Sequence, residues 1–274
     1  MTDTLKAKKS LGQHWLQDKN TLKRICDEAK LTATDTVLEI GPGHGTLTEL
    51  LVERAAKVVA VEFDDNLAKQ LPLRVSSDNL EVISQDILGL DFRVLPKNFN
   101  VVANIPYYLT SNLIRTLSEL PNQPERVVIL VQKEVAQRVA AEPGDMSLLS
   151  VSAQLYWEVS LGDIVPAELF TPPPKIDSQV LIMQRRSKPL FKDLDEKFFF
   201  RVVKAGFSNR RKKLRSSLSS GMRITKPEAA NLLNAADISP DKRPQELSLK
   251  DWYKLSLTVA SAVNSSALPF EKYT

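Results

Sequence analysis

Five short apolar runs, each followed by a segment of helical periodicity, constrain the fold of this chain more than any other feature. The runs cover residues 36–40, 57–62, 80–84, 99–103 and 126–131. Strands that alternate with helices in this way form a mostly parallel sheet. Since ligands bind in open α/β sheets at the carboxyl ends of the strands, we expect the residues after each run to form a site.

The first run ends in a glycine-rich turn that precedes a helical segment. Gly41, Gly43 and Gly45 follow it with the spacing G-x-G-x-G, and Glu39 lies two residues before Gly41. Glycine suits positions where the backbone approaches a ligand closely or takes a positive φ, and a helix start presents unpaired N–H groups. The spacing differs from the G-x-G-x-x-G of dinucleotide-binding folds. It resembles the S-adenosylmethionine loop of class I methyltransferases.

Two acids end the next two runs. Glu62 lies 21 residues beyond Gly41, and Asp86 follows the third run. An acid about 20 residues beyond a glycine loop can bind both ribose hydroxyls of a nucleoside, and Asp86 can accept a hydrogen bond from an adenine amino group. Taken alone, each acid is more simply explained as an exposed loop carboxylate or as a helix N-cap. Their positions at successive strand ends favour a nucleoside site.

The fourth run ends in Asn104-Ile105-Pro106-Tyr107. The Asn104 side chain and a backbone carbonyl beside Pro106 can accept the hydrogens of an exocyclic amine, which returns the nitrogen lone pair for attack on an electrophile. The ring of Tyr107 offers a stacking face for a base. Because Asn-x-Pro is common in turns, the tetrapeptide indicates this chemistry only in combination with the glycine loop and the acids.

Six motifs occur in one order, over residues 11–16, 39–43, 61–64, 85–86, 104–107 and 170–178. Together they resemble the ribosomal RNA adenine dimethyltransferases, and among these the bacterial small-subunit branch. The resemblance extends from about Lys8 to about Trp252. It implies transfer of methyl groups from S-adenosyl-L-methionine to N6 of two adjacent adenosines in a loop near the 3′ end of 16S rRNA, within the immature 30S subunit, with S-adenosyl-L-homocysteine as the product.

The same resemblance implies the roles of individual residues. Cofactor-binding residues are His14, Leu16, Gly41, Gly43, Glu62, Asp86 and Asn104, and catalytic residues are Asn104, Ile105, Pro106, Tyr107 and Phe170. Phe170 is expected to sandwich the target adenine with Tyr107. His14 departs from the family pattern, which usually reads Gly-Gln-Asn-Phe-Leu, so it must replace that Asn at the methionine end of the cofactor.

Three other functions stay open. One is methylation of 23S rRNA by the related antibiotic-resistance enzymes, which use the same chemistry. A second is DNA adenine methylation, although Ile105 stands where those enzymes carry the first proline of Asn/Asp-Pro-Pro-Tyr and no sizeable target-recognition domain is evident. A third is a non-enzymatic ribosome assembly factor that keeps the fold for RNA binding.

The net charge of +4 conceals a strongly basic segment. Residues 185–223 contain thirteen Lys or Arg and three acids. Its densest part carries Arg210, Arg211, Lys212, Lys213 and Arg215. A solvated helix face is the common explanation of such a run. Beside an adenine-methylating site, we predict that it binds RNA phosphates.

The fold class that these features predict is α/β: a class I S-adenosylmethionine-dependent methyltransferase, Rossmann-like and mostly parallel, with an antiparallel edge from residues 157–165 and 179–185, plus a small all-α C-terminal domain. We place the catalytic domain at residues 1–187 and a basic helical RNA-binding domain at 188–274. Residues 1–20 are expected to form an arm over the cofactor. Helices are predicted at 198–207, 226–236 and 249–262.

Composition limits the remaining possibilities. Apolar content is 43% and charged content is 26%, as in soluble globular proteins. No apolar run reaches the roughly 18 residues of a membrane span, and the N-terminus lacks the apolar core of a signal peptide. One cysteine and two histidines disfavour a disulfide framework and a His/Cys metal site. We expect a cytoplasmic monomer that needs no metal and no membrane.

Overall fold

The computed structural model describes residues 13–264, so part of the N-terminal arm predicted at residues 1–20 lies outside them. The chain forms two compact units. One contains the residues up to Gln137 together with Trp157–Arg186, and the other contains Arg138–Tyr156 together with the residues from Ser187 onward. The sequence predicted a single boundary at residue 187, so Arg138–Tyr156 is the segment that departs from that prediction.

The first unit is built on a seven-stranded sheet. Its described strands are β1 (Trp15–Leu16), β2 (Thr36–Ile40), β3 (Lys57–Glu62), β4 (Leu80–Ser84), β5 (Asn100–Asn104), β6 (Arg126–Gln132), β7 (Trp157–Val165), β8 (Phe170–Thr171) and β9 (Ser178–Arg185). The sheet order is β4-β3-β2-β5-β6-β9-β7, and β1 pairs with β8 in a separate ribbon. β2 to β6 are parallel, whereas β9 is antiparallel to β6 and β7. The predicted parallel strands and antiparallel edge are confirmed.

Three helices connect parallel strands of this unit, namely α2 (Thr46–Val52), α3 (Asp65–Arg74) and α4 (Thr110–Glu119). α1 (Lys19–Ala29) precedes β2, and α5 (Lys133–Val139) follows β6 and extends across the boundary between the units. Local chemistry sets two of the helix starts. The Asp18 side chain accepts the Thr21 N–H at 2.7 Å before α1, and the Asp64 side chain accepts the Asn66 N–H at 3.0 Å before α3. Cys26 lies on the buried face of α1.

The order of the strands reverses at β2. From β2 the chain proceeds to β3 and β4 on one side, then returns to β5 and β6 on the other. Such a reversal leaves a crevice between the carboxyl ends of the two central strands. The glycine-rich turn follows β2, and Asn104–Tyr107 begins at the last residue of β5. The topology therefore places both motifs at this crevice.

The second unit is helical. Its helices are α6 (Leu148–Tyr156), α7 (Glu196–Gly206), α8 (Leu214–Met222), α9 (Lys226–Ala235) and α10 (Leu249–Asn264). The predictions of α7, α9 and α10 are confirmed, whereas α8 was not predicted. A Cβ atom added to Gly206 would lie 2.3 Å from the ring of Trp252, so only glycine permits this close approach of α7 to α10.

The segment before β7 joins the second unit because of its apolar side chains. Val151 and Leu155 of α6 are buried in the same core as Phe199 and Trp252. Burial of that apolar face stabilises the association, and it explains why one boundary at residue 187 did not describe the division. Between residues 13 and 264, no helix combines the length and the apolar character that a membrane span needs.

Candidate active site

A cavity of about 160 Å³ lies at the carboxyl ends of the central parallel strands. All the residues predicted to bind the cofactor, and all four residues of Asn104–Tyr107, line it. They come from the segment around β1, from the glycine loop after β2, and from the ends of β3, β4 and β5. The fold thus brings together side chains that are separated by up to 90 positions in sequence.

The glycine loop approaches the Asn-Ile-Pro-Tyr turn directly. Gly41 has φ +67°, and a Cβ atom there would lie 3.9 Å from Pro106 Cδ and 4.0 Å from the Asn104 carbonyl oxygen. Gly43 has φ +57°, and its Cβ would lie 3.2 Å from the ring of Trp15. A side chain at Gly43 would be strained by its backbone conformation and by the indole. Glycine therefore lets the loop lie between the two neighbouring segments.

Glu62 holds the glycine loop in place. Its carboxylate accepts hydrogen bonds from the Gly43 N–H at 3.1 Å and from the Asp64 N–H at 2.9 Å. The residue is only 6% exposed, and burial raises the pKa of its carboxyl while the two backbone hydrogen bonds oppose that shift. Each carboxylate oxygen retains a second lone pair, so Glu62 can support the loop and still accept from a ligand hydroxyl.

The position of Asp86 allows both of the roles that the sequence left as alternatives, which are capping a helical turn and binding a nucleoside. It caps a short 3₁₀ turn, Ile87–Gly89, by accepting the Leu88 N–H at 3.0 Å through Oδ1. It is also exposed and lines the cavity. The cap fixes one carboxylate oxygen, so the other can accept a hydrogen bond from a ligand.

The amide of Asn104 has a defined orientation. Its Nδ2 donates to the backbone carbonyl of His14 at 3.2 Å. A carbonyl oxygen can only accept, so the nitrogen must face His14 and Oδ1 must point the other way. This arrangement leaves an acceptor oxygen at the end of β5, which is what a reacting amine requires.

Tyr107 is held by the first residue of β9, and His14 is held by the loop that precedes this strand. The Tyr107 hydroxyl and Ser178 Oγ are 2.8 Å apart, and His14 Nδ1 lies 2.7 Å from the Pro172 carbonyl oxygen. Because that carbonyl accepts, His14 Nδ1 must carry the hydrogen. The rings of His14 and Tyr107 stack with centroids 5.8 Å apart and planes inclined by 20°. Burial raises the pKa of Tyr107, whereas its hydrogen bond to Ser178 lowers it.

The family model of ribosomal RNA adenine dimethylase matches residues 4–261. The chain belongs to this family. Among curated relatives, the ribosomal RNA small subunit methyltransferase A of Dehalococcoides mccartyi strain CBDB1 is 42% identical over 266 residues, covering 94% of this chain and 90% of the relative. The protein of the same name from Streptococcus pyogenes serotype M1 is 41% identical over 262 residues, covering 91% and 90%.

Solved structures agree with this assignment to the dimethylase family. A dimethyladenosine transferase from Plasmodium falciparum superimposes with a TM-score of 0.78 at 27% identity, covering 90% of this chain and 98% of the other. The 23S rRNA methyltransferase ErmE superimposes with a TM-score of 0.73 at 29% identity, covering 90% and 99%. The fold of this dimethylase is therefore the predicted class I methyltransferase fold.

Phe170, predicted to contact the target base, is buried in the core of this dimethylase. Its side chain is 2% exposed, belongs to the core of the first unit and does not line the cavity. The cause is the β1–β8 ribbon, in which Phe170 is the register partner of Leu16. The apolar ring is more stable inside the core than in solvent. The contact of Phe170 with the target base stays a prediction, and the ring that stacks on Tyr107 in this structure is that of His14.

The structure adds Glu39, which the sequence indicated only as part of the loop pattern. This residue of β2 is 1% exposed and lines the cavity. Its Oε2 has no hydrogen-bond partner among the described residues. Burial raises the pKa of its carboxyl to about 8. An acid near a strand end is usually exposed, so the pattern alone did not distinguish it.

The predicted RNA-binding cations of the dimethylase lie in the second unit and divide into two groups. Arg210, Arg211 and Lys212 are exposed and form no ion pair with other described residues. Lys213 and Arg215 both pair with Asp241, at 3.1 and 3.3 Å. The three unpaired cations immediately precede α8. They are therefore the part of the run that is available to a polyanion.

Proposed function

We propose that this chain dimethylates N6 of two adjacent adenosines in a loop near the 3′ end of 16S rRNA, acting on the immature 30S subunit in the cytoplasm. Membership of the ribosomal RNA adenine dimethylase family supports the reaction. Relatives named ribosomal RNA small subunit methyltransferase A, at 41–42% identity over more than nine-tenths of the chain, support the subunit. The single observation that carries the proposal is the orientation of the Asn104 amide, whose oxygen stands at the end of β5 and accepts no hydrogen bond from another described residue.

The cavity suits S-adenosylmethionine. Glu62 and Asp86 retain acceptor lone pairs for hydroxyl and amino hydrogens. Glu39 contributes a buried oxygen that has no hydrogen-bond partner among residues 13–264, which favours a ligand with a positive charge close to this carboxyl. When bound, this cofactor supplies a methyl group that its sulfonium has already activated, so the reaction as proposed needs no metal ion and no strong base.

Asn104 and Ile105 prepare the nucleophile. The lone pair of the adenine amine is conjugated into the ring, and hydrogen bonds from its two hydrogens to Asn104 Oδ1 and to the Ile105 carbonyl return it to the nitrogen. As the new C–N bond forms, positive charge develops on the nitrogen, and these two dipoles stabilise it. The proton then leaves to solvent. His14 keeps the amide of Asn104 in the productive orientation through its carbonyl.

A neutral amide also permits the second methyl transfer. After the first transfer the amine retains one hydrogen, and one acceptor is then sufficient to orient it. Tyr107 offers its ring as the stacking surface for the unpaired base. Loop adenosines are already single-stranded, so placing one in the cavity costs little beyond unstacking. We assign RNA binding beyond the target base to Arg210, Arg211 and Lys212 in the second unit.

Methylation of isolated ribosomal subunits tests this function. The purified protein should transfer methyl groups from radiolabelled S-adenosylmethionine to 30S subunits from a strain that lacks the corresponding modification, and mass spectrometry should find two adjacent dimethyladenosines. The matched substrate is the 50S subunit, because ErmE is a 23S rRNA methyltransferase of similar fold. Transfer to 50S but not to 30S would replace this proposal by the 23S alternative. No transfer to either substrate would favour a non-enzymatic assembly role.

A further inference from the structure

The carboxyl of Glu39 is the group in the cavity that the proposed reaction leaves unexplained. It is 1% exposed, and its Oε2 has no partner among the described residues. A buried polar atom without a partner is costly, and a buried unpaired charge is more so. A structural carboxyl of this kind is normally matched by a donor from the protein. Glu39 lines the cavity, so a charge bound there lies close to this buried carboxyl.

The protein supplies no cation to this carboxyl within residues 13–264. The titratable groups that face it are Glu62 from β3 and Cys26 from α1. From α2 the Thr48 hydroxyl lies nearby, although its geometry falls short of a hydrogen bond. Arg54, which follows α2, pairs with Asp27 at 2.8 Å. No charge among the described residues therefore compensates an ionised Glu39, whereas a cationic ligand in the cavity can.

Strand register places Glu39 close to the reacting end of the cavity. Glu39 is the register partner of Val102 on β5, and Asn104 lies two residues further along that strand. With the ordinary rise and spacing of strands, the Cα atoms of Glu39 and Asn104 are roughly 8 Å apart. A positive charge brought to the Asn104 end is thus near enough to act on Glu39 across a poorly solvated interior.

We propose that Glu39 distinguishes the charged methyl donor from its uncharged-sulfur product: the carboxyl is ionised while a sulfonium occupies the cavity and is protonated when a thioether replaces it. This inference rests on the proposed function for the identity of the ligand. It makes Glu39 a specificity-determining residue, because the same carboxyl favours the donor through a charge interaction that the product lacks.

Charge and protons balance over the transfer. The C–S bond breaks with its electrons left on sulfur, the C–N bond forms, and the amine releases one proton. The ligand left in the cavity has lost one positive charge, and Glu39 takes up one proton. Transfer with the product still bound then releases no net proton, and the proton appears in solution when the next donor displaces the product.

The environment of Glu39 in the free protein permits this exchange near neutral pH. Burial raises the pKa of the carboxyl from 4.5 to about 8, and Glu62 adds to the rise while Thr48 opposes it. At neutral pH the free group is mostly protonated. A cationic ligand stabilises the ionised form and lowers that pKa, so binding of the donor releases a proton. A ligand with neutral sulfur lacks the share of this stabilisation that the sulfonium provides.

Calorimetric titration in buffers with different ionisation enthalpies measures the protons released. S-adenosylmethionine should release about one proton more than S-adenosylhomocysteine at near-neutral pH, and its affinity should rise up to about tenfold per pH unit below roughly pH 8. The homocysteine should show the shallower dependence. Glu39→Gln should abolish the difference between the two ligands and lower the ratio of their affinities. Glu49→Gln, an exposed position on α2, is the matched control and should leave both unchanged.

Each result separates the two proposals. If the wild type binds neither ligand, the proposed function fails. If it binds both with equal proton release, or if Glu39→Gln retains the difference, only the role of Glu39 fails. Carbon-13 spectra of glutamate carboxyls in the wild type give a measurement that does not depend on the variant's folding. One buried carboxyl should shift to the ionised position with the methionine ligand and stay protonated with the homocysteine, and an unmoved resonance would overturn the proposal.

Discussion

Asn104 Nδ2 donates a hydrogen bond to the backbone carbonyl of His14 at 3.2 Å, across 90 positions of sequence. The contact links the end of β5 to the segment that pairs with β8. His14 is in turn fixed through its imidazole to the Pro172 carbonyl at 2.7 Å. The orientation of the proposed amine acceptor therefore depends on the position of the N-terminal segment.

Replacing Asn104 should stop methyl transfer with little effect on cofactor binding. Asn104→Ala removes the Oδ1 acceptor, and loss of one such group typically lowers kcat by about 10²–10³. Asn104→Asp keeps acceptor oxygens but has no N–H for His14, so its carboxylate is repelled by that carbonyl and should turn away. We expect a reduced kcat for both variants in single-turnover assays, with calorimetry showing nearly unchanged affinity for S-adenosylhomocysteine.

The control for Asn104 is Asn122→Ala. The Asn122 side chain also donates to backbone carbonyls, those of Leu95 and Pro96, but it does not line the cavity. Its replacement should cost some stability and leave kcat unchanged. Turnover of Asn104→Ala at the wild-type rate would remove the proposed role of the amide.

Replacing Glu62 should abolish cofactor binding. Glu62→Ala removes the acceptor for the Gly43 and Asp64 N–H groups together with the proposed acceptor for the ribose. Glu62→Gln keeps one acceptor oxygen but turns an NH2 group toward a backbone donor, so an intermediate loss is expected. Calorimetry with S-adenosylhomocysteine measures both. Glu81→Ala, on β4 and paired with Lys57, should bind like the wild type; undiminished affinity of Glu62→Ala would show that the ribose contact lies elsewhere.

Removing the ionisable group at Glu39 should stabilise the ligand-free protein increasingly as pH rises. The carboxyl has a pKa of about 8 in the folded protein against an ordinary value of 4.5. Below pH 4.5 it is protonated in both states; between the two values only the unfolded chain ionises, which lowers the free energy of unfolding by up to about 1.4 kcal/mol per pH unit. Glu39→Gln has no ionisable group at this position, so its free energy of unfolding does not fall in this way as pH rises.

Urea midpoints of the wild type and Glu39→Gln should therefore separate progressively between about pH 5 and about pH 8. Glu49→Gln should follow the wild type throughout, since Glu49 is exposed on the same helix that packs beside Glu39. A constant gap between the two unfolding curves across this range would mean that Glu39 is not protonated in the folded state.

Patterns that follow from chain geometry were predictable from the sequence. The five parallel strands lie within one residue of the predicted runs at either end, because buried strands leave continuous apolar stretches bounded by turn residues. The 21-residue spacing from Gly41 to Glu62 places both in the cavity, because one strand–helix–strand unit brings the chain back to the same edge of the sheet.

Side-chain burial that depends on tertiary packing was not predictable. Phe170 lies just before a run of three prolines, where its ring could equally face the cavity or the core. Its pairing with Leu16 places it in the core. Glu39 is buried because its strand is central in the sheet, which one acid in an apolar run does not reveal. α6 joins the helical unit through Val151 and Leu155, whose partners lie more than 40 residues further along the chain.

Charge reversal in the basic run should weaken RNA binding and reduce its dependence on salt. Arg210→Glu with Arg211→Glu acts on exposed cations that have no ion pair among the described residues, whereas Lys213 and Arg215 share an ion pair with Asp241. If both arginines contact phosphates, the slope of log affinity against log salt should fall by about 0.7–0.9 per lost contact.

Lys226→Glu with Lys250→Glu reverses two exposed cations elsewhere in the helical unit and should leave that slope nearly unchanged. Filter binding to 30S subunits over a series of salt concentrations measures both pairs. Equal slopes for the two pairs would mean that Arg210 and Arg211 face solvent rather than phosphate, because overall charge alone would then account for any loss of affinity.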